Sequence, residues 1–412
     1  FVPLAVFLDT LRAKFGTKPS WTMESGGVDR VIFSQEVDSW NFNIFEVKED
    51  DLWLVGSDVM NMLCLPITFS ILESNFVGLM SNVRYLMTRN GLTYHNYYHA
   101  LDVMQTSCAF ISQFELGKYL TDLEVLSLVI GAVCHDLDHP GVTNAYLNSV
   151  ESDLSLRYND VSTLENMHAA LTFEILKKDG CDVFSEVEKG MRVQARKLII
   201  ACIINTDMTY HFSLINDLNE CTARVSEMEK NTLEKGGQVE QIGYGRRSSM
   251  SSSMSSTKGA SDMVDDLFVS DGDREIILKA LLHVADISNP VKPWEMSKEW
   301  SDRVMVEFFA QGDTEKAQGL PVSMNMDRDT TNQAELSLNF CDFIVAPFFL
   351  AFVNIAPKLI DAVMVMDNNR AKWDELHFEW LKTKGGDKLS EDIARWEKRK
   401  ATFESSIAEY LP

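Results

Sequence analysis

Apolar residues recur at helical spacing along most of this chain. Over residues 1–16, Leu4, Phe7, Leu8, Leu11 and Phe15 fall on one side, as in an amphipathic helix. Lys18 to Asp51 is irregular, with Gly26-Gly27, β-like pieces such as Arg30 to Phe33, and the aromatic run Trp40 to Phe45. From there to Thr383 the period is almost wholly helical, and the pattern predicts helices over 56–64, 70–88, 97–116, 122–136, 163–178 and 186–207. It predicts more over 209–233, 273–286, 294–311, 330–352, 356–382 and 388–410. Neither a repeat nor an alternating β pattern of any length is present, so the expected fold class is all-α. Thr121 with Glu124 reads as a capping box before the apolar run Val125 to Val133, and Ser162 with Glu165 as another. The most apolar run, Phe343 to Ala356, contains Pro347 and Asn354. It reads as a buried core helix too short to cross a bilayer.

Residues 234–262 differ in kind. They include Gly236-Gly237, Gly243, Gly245 and the run Arg246 to Ser256, with almost nothing apolar to bury, as in a flexible or regulatory insertion. Arg246-Arg247-Ser248-Ser249 also resembles a site for a basophilic kinase acting at Ser249. The expected organisation is a linker helix and irregular segment over 1–39, a catalytic domain over 40–383 that contains this insertion, and a C-terminal helix over 384–412.

Composition narrows the function. With 412 residues and 45% hydrophobic content the chain can bury a large core. A net charge of -23 argues against nucleic acid or an anionic membrane as partner, since both need clustered Lys and Arg. An acidic enzyme with an anionic substrate has to supply positive charge locally, as metal. The seven cysteines show no paired spacing and lie mostly in apolar stretches, which fits buried thiols in a reducing, cytoplasmic setting. The chain begins at Phe1 without a methionine or signal peptide, so it reads as a fragment of a longer protein, one able to reach membranes through regions outside it.

Candidate chemistry centres on Cys134-His135-Asp136-Leu137-Asp138-His139-Pro140. Imidazole suits zinc and carboxylate suits magnesium or manganese, so an adjoining His-Asp pair can hold two different ions by sharing the carboxylate. Upstream, His95 and His99 stand at i and i+4 and face the same way on a helix. Downstream, Leu282 to Pro290 ends a helical pattern with Asp286. Four of the eight histidines fall in the first two motifs.

Tyr94-His95-Asn96-x-x-His99, His135-Asp136-x-x-His139-Pro140-Gly141-x-x-Asn144 and Ala285-Asp286-Ile287-Ser288-Asn289-Pro290 together resemble the catalytic domain of class I cyclic nucleotide phosphodiesterases. The resemblance runs in order from about Trp40 to about Trp380 and includes Leu164-Glu165-Asn166, Thr206-Asp207-Met208 and Trp300-Ser301-Asp302-Arg303. It implies a compact multi-helix fold with the metal site at the junction of helical subdomains, and a cyclic nucleotide, cAMP or cGMP, as substrate. By the same resemblance His99, His135, Asp136 and Asp286 ligate a tight Zn2+. Asp136 bridges to a second ion, Mg2+ or Mn2+, held largely through waters that His139, Glu165 and Thr206 position. A hydroxide between the ions is then the nucleophile, and His95 is the general acid that protonates the leaving 3'-oxygen.

Each assignment has a plainer rival. His139 can cap a helix C-terminus, Glu165 can serve its capping box alone, and Thr206 and Asp207 can be helix-terminal groups. His168, His211, His283 and His377 read as structural or solvent-exposed. The resemblance places Tyr94, Met208, Asn289, Trp300, Val304, Met324 and Phe340 around the substrate, with Phe340 stacking on the base. The family's base-reading glutamine falls on Ser337, with Gln333 one turn earlier on the same face, so either can contact the base. A second departure puts Met167 where the family has histidine, which implies weaker support for the second ion. Residues 312–330, with Gly312, Gly319 and Pro321, read as a mobile flap. The alternatives are a phosphomonoesterase of the wider His-Asp superfamily and a catalytically impaired cyclic-nucleotide sensor or scaffold. A homodimer is among the expected assemblies.

Overall fold

The structure is a computed structural model that describes residues 37–234, 269–384 and 389–408. The expected helix over 1–16 and the Ser/Gly-rich stretch with Ser249 lie outside the described residues. Among those described, every regular element is helical. In chain order they are α1 (Leu52–Met62), α2 (Leu65–Phe69), α3 (Glu73–Thr88), α4 (Tyr97–Ser112), α5 (Asp122–Cys134), α6 (Asn144–Ser149), α7 (Asp153–Tyr158) and α8 (Thr163–Leu176). There follow α9 (Lys189–Ile204), α10 (His211–Glu234), α11 (Asp271–Asp286), α12 (Trp294–Gln318), α13 (Gln333–Phe340), α14 (Ala346–Val353), α15 (Ile360–Lys384) and α16 (Leu389–Ile407). A π-helical turn, Cys341–Val345, joins α13 to α14.

The centre is α5, buried from Leu123 to Cys134 and packed by α4, α9 and α11. An apolar circumference of this kind belongs inside a core. Its start is the expected capping box: Thr121 Oγ1 accepts from the Glu124 N–H (3.2 Å) and Glu124 Oε2 from the Thr121 N–H (2.7 Å). The same Glu124 carboxylate also accepts from buried Arg274 of α11 (3.0 Å), so the cap ties two core helices together. Across the core, the Trp40 indole N–H donates to the Val291 carbonyl (2.8 Å), which fixes the aromatic run before α1 against the segment after α11.

Three expectations fail for physical reasons. The second capping box is absent: Ser162 has φ 42° and its side chain makes no cap bond. Asn144 does that work from α6, accepting from the Leu164 N–H (2.9 Å) and donating to Glu165 Oε2 (2.9 Å). The apolar run from Phe343 is a core helix as expected but not a short one: it belongs to the second half of Gln333–Val353, a 21-residue helix carrying the π turn that is long and apolar enough to cross a membrane. Phe348, Phe349 and Phe352 enter the core, whereas Phe343 is 59% exposed.

The expected flap is pinned. Residues 312–318 are the last turns of α12, which ends at Gly319 in the left-handed region (φ 73°). Lys316 then bridges Asp327 (2.6 Å) and Asp329 (3.0 Å), Arg328 pairs with Asp313, and Glu315 takes the N–H of Ser323 (2.7 Å). Gly312 permits this closure, because a Cβ there would lie 1.9 Å from the Met326 carbonyl oxygen. Gly312→Ala should therefore lower unfolding free energy by about 1–3 kcal/mol, read from the urea midpoint. An unchanged midpoint would show that the 319–332 segment yields freely.

Candidate active site

Three helix ends deliver the cluster. Asn96 caps α4, accepting from the N–H groups of Tyr98 (3.0 Å) and His99 (3.3 Å), which sets His99 in the first turn. His135 is the C-cap of α5, with Asp136 next in the chain, and Asp286 ends α11. The chain then reverses through Asp138, a non-glycine residue at φ 63°, and His139 N–H returns to the Asp136 carbonyl (3.1 Å). Aspartate tolerates this left-handed turn better than most residues. Arg89 pairs with its carboxylate, and Asn90 donates to the His139 carbonyl (2.9 Å).

His99, His135, Asp136 and Asp286 each aim one donor atom at a common point. His99 Nε2 lies 3.0 Å from Asp286 Oδ1 and 3.4 Å from Asp136 Oδ2; His135 Nε2 lies 3.1 Å from Asp136 Oδ2 and 3.3 Å from Asp286 Oδ1. Ligand bonds of about 2.0–2.2 Å separate neighbouring donors by about 2.8–3.1 Å at right angles and about 3.3–3.6 Å at tetrahedral angles. These four edges fit a divalent ion. The His135 Nδ1–H donates to the Ala132 carbonyl (2.7 Å), which leaves Nε2 with a lone pair for such an ion. Burial pulls the His99 ring down, but hydrogen bonds to Asp136 and Asp286 hold it up at about 9. The pocket therefore favours positive charge at the point where the donors meet.

A second ring of residues surrounds Asp136. The His168 Nδ1–H donates to the Leu137 carbonyl (2.7 Å), and its Nε2 stands 3.7 Å from Asp136 Oδ1. Burial pushes His168 down to about 4, so it is neutral at ordinary pH. His168, read from the sequence as structural, thus stands beside Asp136, and a histidine faces that carboxylate despite Met167. His139 is buried, accepts from the Gly141 N–H (3.0 Å), and stacks on His95 at 3.8 Å. Glu165 is gripped by the Asn144 amide, and burial raises it to about 7, with Asp207 and Asp136 adding to the rise. Thr206 donates to the Ile203 carbonyl (2.8 Å) and Asp207 accepts from the Thr209 N–H (2.8 Å), both helix-terminal bonds.

His95 lies outside the four-donor set. Its Nδ1 is 2.6 Å from Glu307 Oε2, while Glu307 Oε1 accepts from the N–H groups of Tyr94 (2.6 Å) and His95 (3.0 Å). Burial alone would raise the Glu307 carboxyl, but the His95 ring and these bonds hold it below its ordinary range. Nothing in the local pattern singles out Glu307, because it sits 212 residues away on α12.

The expected substrate contacts divide into two groups. Asn289 donates to the Tyr94 hydroxyl (2.6 Å), and fully buried Trp300 packs edge-on against Tyr94 and His99, forming a wall behind the cluster. Gln333, Ser337 and Phe340 stand at i, i+4 and i+7 on α13 and share a face. Gln333 Nε2 donates to Ser301 Oγ (3.0 Å) and Asp302 Oδ1 (2.7 Å), and Ser337 Oγ meets Ser301 Oγ (3.1 Å). Val304 packs against the core. Met208 and Met324 are 45% and 86% exposed, so Met324 lines no packed wall.

A sequence profile described as 3'5'-cyclic nucleotide phosphodiesterase matches residues 94–366. The chain is 31% identical over 337 residues to the 3',5'-cyclic-nucleotide phosphodiesterase regA of Dictyostelium discoideum, covering 82% of this chain and 38% of that one. It is 29% identical over 344 residues to the 3',5'-cyclic-AMP phosphodiesterase 4C of Rattus norvegicus, covering 82% and 57%. The chain thus spans 38% and 57% of these two relatives' lengths. Among solved structures, the phosphodiesterase domain of the RhoPDE fusion protein from the choanoflagellate Salpingoeca rosetta superposes with a TM-score of 0.69 at 28% identity, covering 85% of this chain and 98% of that one.

The raised Glu165 carboxyl makes stability depend on pH. In EDTA-treated protein the folded state holds a proton up to about pH 7 that the unfolded chain releases near 4.5. Stability is then fully present below about 4.5 and falls as pH rises through about 7. Glu165→Gln should remove a decline of about 3 kcal/mol between pH 4 and pH 8, seen in urea unfolding of both proteins. Parallel pH profiles would contradict the shift.

Proposed function

Since the chain belongs to the 3'5'-cyclic nucleotide phosphodiesterase family, we propose that it hydrolyses 3',5'-cyclic nucleotides to nucleoside 5'-monophosphates and so ends a cyclic-nucleotide signal. The observation that carries this reading is the pairing of two devices: a four-donor cation cluster, and beside it a histidine held by a buried carboxylate. We assign His99, His135, Asp136 and Asp286 to a tight zinc. Asp136 would also contact a magnesium or manganese ion, and His139, His168, Glu165 and Thr206 would surround it. Bound there, the ion pair supplies charge stabilisation at phosphorus and an activated water.

The remaining work falls to the protein's own side chains. Nδ1 of His95 faces Glu307, so Nε2 is the ring atom left to deliver a proton to the leaving 3'-oxygen. Glu307 fixes the ring's orientation through three contacts, one to the ring and two to backbone N–H groups. Stacking on neutral His139 holds the second face. Trp300 and Tyr94 exclude water behind the ligand set. On α13, Phe340 is the stacking platform for the base. Both Nε2 protons of Gln333 are engaged by Ser301 and Asp302, so its Oε1 is the atom available to read a base edge, beside the short Ser337 hydroxyl. One acceptor rejects the wrong purine less strongly than a bidentate amide would. We therefore infer modest discrimination between cAMP and cGMP. All seven cysteines are free, six of them buried, which suits a reducing compartment such as the cytoplasm.

Incubation with each cyclic nucleotide in heavy-oxygen water should give 5'-monophosphate carrying one solvent oxygen on phosphorus. The purified chain should contain about one equivalent of zinc, and exhaustive chelation should abolish turnover. His95→Ala should lower kcat by about 10²- to 10⁴-fold for a cyclic nucleotide and far less for a substrate with an activated leaving group. Glu307→Gln should fall between wild type and His95→Ala. Full activity after chelation, or equal losses on both substrates, would contradict the scheme.

A further inference from the structure

Two residues past Phe340, Asp342 lies inside the π-helical turn with its carboxylate buried. Two arginines from later in the chain hold it. Arg370 of α15 binds with Nε to Oδ1 (2.7 Å) and Nη2 to Oδ2 (3.2 Å), and Arg399 of α16 adds Nε to Oδ2 (2.7 Å). Arg370 Nη1 also reaches Asp374 Oδ2 (2.6 Å), whose other oxygen accepts from the Trp396 indole N–H (2.9 Å). Arg399 keeps its Nη2 buried without a partner, a cost that its contacts with Asp342 and the Phe343 ring (5.7 Å) offset. Further along α16, Phe403 and Ile407 enter the main core.

Two acids and two arginines balance in charge. Without Arg399, two buried carboxylates would face a single guanidinium, an arrangement that low dielectric penalises. The location gives this network its consequence. A π turn inserts an extra residue into a helix and rotates the part before it relative to the part after it. Here the part after it, α14, is fixed by Phe348, Phe349 and Phe352 in the core, so the turn sets which way α13 presents Gln333, Ser337 and Phe340. Asp342 is the turn's buried acid, and the C-terminal helix supplies half of its cationic support.

We infer that Arg399 is a positioning residue for the base pocket: docking of α16 onto Asp342 sets the place of Phe340, and with it affinity for a purine, from outside the pocket. The inference rests on the reading of α13 as the base-binding helix of a cyclic nucleotide phosphodiesterase. It separates recognition from chemistry, since the network touches none of the four metal donors and neither His95 nor Glu307.

The test compares the whole wild-type chain with Arg399→Ala and Arg399→Lys on a cyclic nucleotide and on bis(4-nitrophenyl) phosphate, which carries no purine. Arg399→Ala should raise KM for the cyclic nucleotide about tenfold with kcat within about twofold. Its zinc content and its rate on the purine-free ester should match wild type. Arg399→Lys, which keeps the charge but not the Nε–H, should recover part of the lost affinity. Unchanged KM, or an equal loss on both substrates, would overturn the inference. If Arg399→Ala lacks a cooperative melt, Arg399→Lys and Trp396→Phe carry the same comparison. A wild-type chain inactive on the cyclic nucleotide would remove the reading underneath, and the inference with it.

Discussion

Two carboxylates and two imidazoles, drawn from the ends of three helices, must meet within a few ångströms inside the protein. Most of the architecture answers to that requirement. Buried acids and bases brought this close are costly unless they compensate one another or a cation, so the helices that carry them cannot be soft. The chain supports them with α5, which is apolar around its circumference and capped at one end by a box whose glutamate is also tied to α11. Movement of α5 relative to α11 would change the 3.3 Å separation between His135 and Asp286, and the buried Glu124–Arg274 pair opposes it.

The His95–Glu307 pair beside the cluster follows a different logic. The four proposed metal donors lean on one another, whereas His95 leans on α12 through Glu307. One carboxylate contacts both the ring and the backbone N–H groups of Tyr94 and His95, so ring orientation and chain position are fixed together. A histidine tied this way holds its geometry without help from the four-donor cluster. In the proposed scheme, proton delivery and charge stabilisation are thereby anchored to separate parts of the fold.

What could be read from the sequence was whatever repeats or clusters locally. The long helices show at period 3.6, and His95/His99 and His135/Asp136/His139 declare themselves by spacing. Partners distant in the chain do not: Glu307, His168 opposite Asp136, and Arg399 against Asp342 become neighbours only when helices pack. α6 and α7, six residues each, are too short to display a helical period. Ser162 and Glu165 misled because the right residue types stand at the right spacing, while a left-handed Ser162 and an amide from another helix take over the capping. The flap misled because glycine and polar residues mark both loose loops and tightly folded ones, and here Gly312 serves close packing.

Asn144 has a consequence of its own. One end of its amide accepts from the start of α8 and the other donates to Glu165, so the residue must be neutral and two-sided. Spontaneous deamidation to aspartate would keep the shape and the acceptor but set a second carboxylate against the first. In an ageing sample, one atom exchanged at that position would disturb the loop beside Asp136 while leaving every proposed metal donor chemically intact.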